Sequence, residues 1–159
     1  MVVFMHAITP QKVSPQSFAR FGRVVSTPTD APTSQGPEYK FWSDIAHYEI
    51  GGETEIGLCT VYQQPDTTLS SVERHLRTPE ILIPIDGPFI LPLVREEGGK
   101  DVVEAFRVEV GEAVVINTGV WHGPCLPVGR THESYFVIFR RRTPYEDVEK
   151  KQIATVHIA

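Results

Sequence analysis

Glu73-Arg74-His75-Leu76-Arg77-Thr78-Pro79-Glu80 and Gly111-Glu112-Ala113-Val114-Val115-Ile116-Asn117-Thr118-Gly119-Val120-Trp121-His122 are the two stretches that decide how this chain is read. Residues two apart on a strand point to the same face, so Glu73 and His75 look into one cavity together. Proline lacks the donor that a sheet ladder needs, so Thr78-Pro79 breaks the strand and lets Glu80 re-enter with a fresh phase. His122 closes the second stretch with another imidazole. Two imidazoles and two carboxylates make a donor set for a divalent cation that accepts nitrogen and oxygen ligands.

Outward from these stretches the sequence reads as short strands punctuated by turns. Strands are expected over Tyr39 to Ser43, His47 to Ile50, Ile56 to Gln63, Glu80 to Ile85, Phe89 to Val94, Val102 to Val110, Ala113 to Asn117 and Ser134 to Arg140. Gly51-Gly52, Asp86-Gly87 and the polar tip Glu96 to Lys100 turn the chain between them. Strands at this spacing with no helices between them favour an antiparallel sandwich or barrel, its core covering about residues 39–141. Ahead of it, Ser14 as N-cap, Pro15 at the first position, Phe18 and Phe21 on one face and Gly22 as terminator predict a short N-terminal helix. A strand at Arg23 to Ser26 follows, then an exposed loop from Thr27 to Pro37. Thr143-Pro144 predicts one helical turn before a last strand, Ile153 to Ile158. Ile81, Ile83 and Ile85 share the face opposite Glu80 and need cover, from the same chain or from a partner subunit in a homodimer.

A chain of 159 residues with 41% hydrophobic content suffices for one domain, 1–159, with a sizeable core. Its net charge of −5 offers no sequence-independent attraction to nucleic acid. Cys59 and Cys125 form no paired motif and read as reduced thiols, a single disulfide being the alternative. The opening Met1 to Met5 lacks the basic flank of a signal peptide, and no apolar run is long enough to cross a bilayer. A soluble, cytoplasmic protein without membrane or nucleic-acid partners is the expectation.

Glu73-x-His75-x4-Glu80-x6-Gly87 resembles the first motif of the cupins, with Glu73 in the place of the first histidine. Gly111-x5-Asn117-x-Gly119-x2-His122 resembles the second, with Asn117 in the place of proline. Thr67 and Leu126 depart from the motifs' outer glycine and asparagine. More specifically, Ser17-Phe18-x-x-Phe21-Gly22-x-Val24, Glu73-Arg74-His75, Ile83-Pro84-x-x-Gly87 and Val120-Trp121-His122 with Pro124 resemble the ureidoglycolate lyase family of cupins. The likeness spans most of the chain and is patchy between Pro28 and Ser70; Glu80 stands where the family has glutamine.

The resemblance implies a cupin jelly-roll barrel, an antiparallel double-stranded β-helix, and cleavage of ureidoglycolate to glyoxylate and urea as a step of allantoin and purine breakdown. It implies nickel or a similar divalent ion, while the residues themselves allow manganese, iron or zinc. His75, His122 and Glu80 are the candidate ligands. Glu73 is either a fourth ligand or the general acid or base. Two carboxylates facing one cavity repel, which raises one pKa unless a cation neutralises them, so either outcome points to chemistry. Other small-acid or sugar cupins, isomerase or dioxygenase, and a non-catalytic ligand-binding cupin are the competing classes. Arg74 is expected to point away from the cavity, Trp121 to be core or pocket wall, and His6, His47, His132 and His157 to lie elsewhere.

Overall fold

The computed structural model describes residues 6–159; the Met1 to Met5 stretch considered for a signal peptide lies outside the described residues. In chain order the strands are β1 (His6–Ile8), β2 (Gln11–Lys12), β3 (Gly22–Val25), β4 (Ser34–Gly36), β5 (Tyr39–Phe41), β6 (Thr54–Tyr62), β7 (Thr68–Arg74), β8 (Glu80–Pro84), β9 (Phe89–Glu97), β10 (Lys100–Val108), β11 (Ala113–Ile116), β12 (Trp121–His122), β13 (Leu126–Pro127), β14 (His132–Arg140) and β15 (Glu149–Ile158). One turn of helix, α1 (Thr143–Glu146), precedes β15, with Pro144 at its start.

The larger sheet runs β1-β15-β7-β12-β9-β10-β2, with β13 also on β9, and the smaller runs β3-β11-β8-β14-β6. From β6 to β9 the chain crosses from one sheet to the other at every step, and it does so again through β10, β11 and β12 and from β14 to β15. All pairings are antiparallel except the marginal ones of β1 with β15 and β2 with β10. This is an all-β, cupin-type jelly roll, two sheets wound around a shared interior. Its core follows from strand alternation: Phe89, Leu91 and Leu93 of β9 and Leu82 of β8 point inward and are buried with Phe106, Val114 and Ile116. No helix among the described residues is long and apolar enough to cross a membrane.

The short helix expected at Ser14 to Gly22 is instead a succession of turns. Ser14 does cap it, its Oγ accepting from the Ser17 N–H at 3.0 Å. Phe18 N–H and Gly22 N–H reach back four residues, to Ser14 and Phe18 carbonyls, but the Ala19 and Phe21 N–H groups reach back only three. So short a segment gains little from helix propagation, and packing decides its shape. Phe18 and Phe21 are driven against Phe106, with ring centroids 5.2 and 5.7 Å away, and are buried in the same core. The strand expected at His47 to Ile50 is absent, and the expected loop at Thr27 to Pro37 contains β4, which pairs with β5 in a small ribbon.

Ile81 is covered, Ile83 half-buried and Ile85 37% exposed, on the outer face of the smaller sheet. Register places Ile81, Ile138 and Ile56 in one row across three strands, and Ile83, Phe136 and Leu58 in the next. Ile56 and Leu58 remain 70% and 62% exposed, so this apolar face lacks cover within the described chain.

Candidate active site

β7, β8 and β12 deliver the four candidate residues to one end of the barrel interior. Glu73 near the end of β7 lies directly opposite His122 of β12, and His122 also pairs with Leu93 of β9. His75 is the first residue past β7, and Glu80 opens β8 after the Thr78-Pro79 break. That break is held open by a side chain: Thr78 Oγ1 donates to the Pro79 carbonyl and accepts from the Arg140 N–H at 3.0 Å. The loop before β12 is tied to the same place, because the Gly119 N–H donates to the His75 carbonyl at 2.7 Å.

His75, Glu80 and His122 are all buried, while Glu73 is half-buried. Glu80 Oε2 lies 3.2 Å from His75 Nε2 and 3.0 Å from His122 Nε2. Despite that closeness, none of these three buried atoms is aligned to hydrogen-bond with any partner. Glu73, His75 and His122 also offer ligand atoms that lie within 4.8 Å of one another. Buried polar atoms are nearly always satisfied, so three orphans side by side call for a group that accepts lone pairs. The donors fit a divalent cation: two imidazole nitrogens and carboxylate oxygens from two sides.

The tautomer of His75 supports this fit. Its Nδ1–H donates to the Asp147 carbonyl at 2.8 Å, which leaves the Nε2 lone pair facing the cavity. Burial opposes charge on His75, but the Glu80 carboxylate, the Asp147 carbonyl and Glu73 outweigh it and raise its pKa. Burial alone would raise the Glu80 carboxyl; the adjacent His122 and His75 imidazoles overcome it and bring it down to about 2. Glu80 is thus held as a carboxylate, ready to bind a cation and unsuited to give up a proton near neutrality.

The residues face a cavity of about 730 Å³ lined by Glu73, His75, Glu80, Cys59, Tyr135 and Lys150 among others. His122 faces an adjoining one of about 400 Å³, which Glu73 and Lys150 also line. Burial raises the pKa of the Tyr135 phenol and of the Cys125 thiol beside it, so both stay protonated.

Arg74 points outward, paired with Glu149 at 2.7 Å and stacked 4.4 Å from the Trp121 ring. Trp121 packs against the second apolar cluster, around Val72 and Val94, on the other face of the larger sheet. His6, His47 and His132 are exposed, away from the four.

No sequence motif marks Asp147, Lys150 or Tyr135, which also face or shape the site. The Asp147 carboxylate accepts from the Leu76 and Arg77 N–H groups, both at 2.9 Å, and stitches the segment after His75 to the end of α1. Its one sequence signal is its place just after the Pro144 turn.

A family model described as ureidoglycolate lyase matches residues 5–158. A curated relative, ureidoglycolate lyase 2 of Rhizobium meliloti (strain 1021), is 34% identical over 139 residues, covering 81% of this chain and 82% of that protein. Among solved structures, an oxalate oxidase in complex with the substrate analogue glycolate overlaps 60% of this chain and 45% of its own, at 20% identity and a TM-score of 0.47. A mutant of the Bacillus subtilis oxalate decarboxylase overlaps 67% of this chain and 24% of its own, at 16% identity and a TM-score of 0.44. This chain therefore spans less than half of each of those solved chains. Matched along nearly its whole length by the family model and over four-fifths of a curated relative, the chain belongs to the ureidoglycolate lyase family.

Proposed function

We propose that this protein is a lyase that cleaves ureidoglycolate to glyoxylate and urea, with Glu73, His75, Glu80 and His122 as its working residues. Family membership supports the substrate, and the observation that carries the site is the trio of unpartnered buried atoms, His75 Nε2, His122 Nε2 and Glu80 Oε2. His75, His122 and Glu80 would hold a divalent cation, nickel being the family expectation, with Glu73 near enough to be a fourth donor. Such an ion supplies Lewis acidity toward the oxygens of a hydroxy acid.

The rest of the reaction is proton traffic. The central carbon of ureidoglycolate bears a hydroxyl, a carboxylate and a urea nitrogen. Removing the hydroxyl proton lets its electrons form the glyoxylate carbonyl as the carbon–nitrogen bond breaks, and the departing nitrogen takes up a proton. Glu80 is pinned as a carboxylate between two imidazoles, which leaves Glu73 as the group that accepts the first proton and returns it to the leaving nitrogen. Urea release by metal-loaded protein tests the proposal. His75→Ala and His122→Ala are expected to lose activity by at least about 100-fold, and full activity in either would overturn their roles.

A second copy of the chain belongs to the same proposal. Ile56, Leu58, Tyr62 and Phe136 are exposed on the outer face of the smaller sheet, an apolar patch of the kind that a two-fold homodimer contact covers. Sedimentation of wild type beside Leu58→Glu reads it out. Cys59 and Cys125 are both free thiols, which fits a reducing, cytoplasmic setting.

A further inference from the structure

Lys150 has no place in the proton chemistry above, yet it is positioned by the fold over the site. β15 pairs with β7 so that Lys150 lies directly opposite Glu73. Directly opposed residues in an antiparallel pair share a face, so Lys150 leans over the same side as the cluster. Its neighbour Lys151 takes the other face, where it pairs with Asp101 at 2.9 Å and sits 4.7 Å from the Trp121 ring. Lys150 lines both the 730 Å³ cavity and the adjoining 400 Å³ one. Among the described residues it is the one lysine or arginine in either lining, and no carboxylate lies within ion-pair distance of it.

Charge gives this placement a meaning. Glu55, Glu73 and Glu80 line the larger cavity, so an anion entering it meets three carboxylates. A divalent cation at the histidines would offset part of that field, and Lys150 is, among the described residues, the one lysine or arginine side chain that lines either cavity. An ammonium on a flexible stem that is not committed to a protein partner is suited to bind an incoming carboxylate.

We propose that Lys150 is the substrate-carboxylate anchor of this site, the residue that selects a small α-hydroxy or α-keto acid over its neutral analogue. This rests on the lyase reading for its substrate, but the contact itself is to a carboxylate and is tested apart from turnover.

The experiment compares wild type, Lys150→Met and Lys150→Arg, all metal-loaded, in two measurements. Calorimetric titration with glycolate and with glycolamide reads the charge contact directly. Steady-state urea release from ureidoglycolate gives KM and kcat. Lys150→Met is expected to weaken glycolate binding and raise KM by about 10- to 100-fold, the usual range for a charge-assisted hydrogen bond. Its kcat should stay within about threefold, glycolamide binding should be unchanged, and Lys150→Arg should restore most of the loss. Unchanged glycolate affinity in Lys150→Met would overturn the assignment, as would a fall in kcat with KM intact, which would make Lys150 a partner of Glu73. Wild type that binds glycolate through Lys150 but releases no urea would overturn the lyase reading and leave the anchor standing. Lys150 is solvent-exposed, so the variants should melt with wild type.

Discussion

His75 is oriented by Asp147 across 72 residues of chain: its Nδ1–H donates to the Asp147 carbonyl at 2.8 Å, while the Asp147 carboxylate holds the two N–H groups that follow His75. One residue thus sets both the tautomer of the imidazole and the path of the backbone that carries it. Asp147→Ala hands two exposed N–H groups over to water, at a cost of about 0.5–1.5 kcal/mol per hydrogen bond in urea unfolding. Groups that orient a metal-binding histidine are worth about 10- to 100-fold in affinity. Asp147→Ala keeps the carbonyl that accepts from His75 Nδ1 and loses only the carboxylate that fixes the backbone, so calorimetry should find nickel or manganese binding weakened by less than that, with Asp147→Asn between it and wild type.

Cation binding should show in stability before any assay of turnover. A ligand bound only by the folded state adds about 2.7 kcal/mol at a free concentration 100 times its Kd. A thermal melt of chelator-treated protein should rise on adding the divalent ion and fall back with excess chelator. His75→Ala and His122→Ala should lose that rise because each removes one of the orphaned nitrogens. A rise of equal size in both variants would mean that the ion binds elsewhere.

Acid should unfold the metal-free protein partly through Glu80. Its carboxyl is held at about 2 against an ordinary 4.5, so the folded state favours the ionised form. The sign follows: the contribution is full above pH 4.5 and fades as pH falls toward 2. A difference of that size corresponds to up to about 3 kcal/mol. His75 runs the other way, with a raised pKa, so its contribution is present at low pH and fades as pH rises through its folded value. Unfolding free energies of metal-free wild type and Glu80→Gln from pH 2 to 8 check this: Glu80→Gln should lack the acid slope and also lose most of the His75 contribution, because Glu80 is the main group that raises His75.

Much of this site was legible because its residues lie in two short local patterns. Strand parity, the Thr78-Pro79 break and motif spacing point to Glu73, His75, Glu80 and His122, and the fold brings all four together. What the sequence did not reveal depends on pairing between distant strands. Lys150 lies in Glu149-Lys150-Lys151-Gln152, a polar run that reads as the end of a loop. It is strand because β7 offers a partner edge, and β-propensity yields to such context. The segment Ser14 to Gly22 erred in the opposite direction, its local helix signals overridden by the burial of Phe18 and Phe21.

Two glycines should respond differently to the same substitution. A Cβ on Gly22 would stand 1.7 Å from the Val115 carbonyl oxygen, inside the ladder that joins β3 to β11. Backbone cannot move aside there without separating the strands, so Gly22→Ala should cost at least about 1–3 kcal/mol and loosen the Phe18–Phe21 pair that precedes it. Gly119 has φ of +85° with nothing within 4 Å of a Cβ, so alanine there meets strain of about 1 kcal/mol and no collision. Yet Gly119 N–H holds the His75 carbonyl, and relaxing that turn would shift the imidazole. Urea unfolding should therefore rank Gly22→Ala as the more destabilised, while metal affinity should rank Gly119→Ala as the more impaired relative to its loss of stability. The same rank order in both measurements would mean that the Gly119 turn does not position His75.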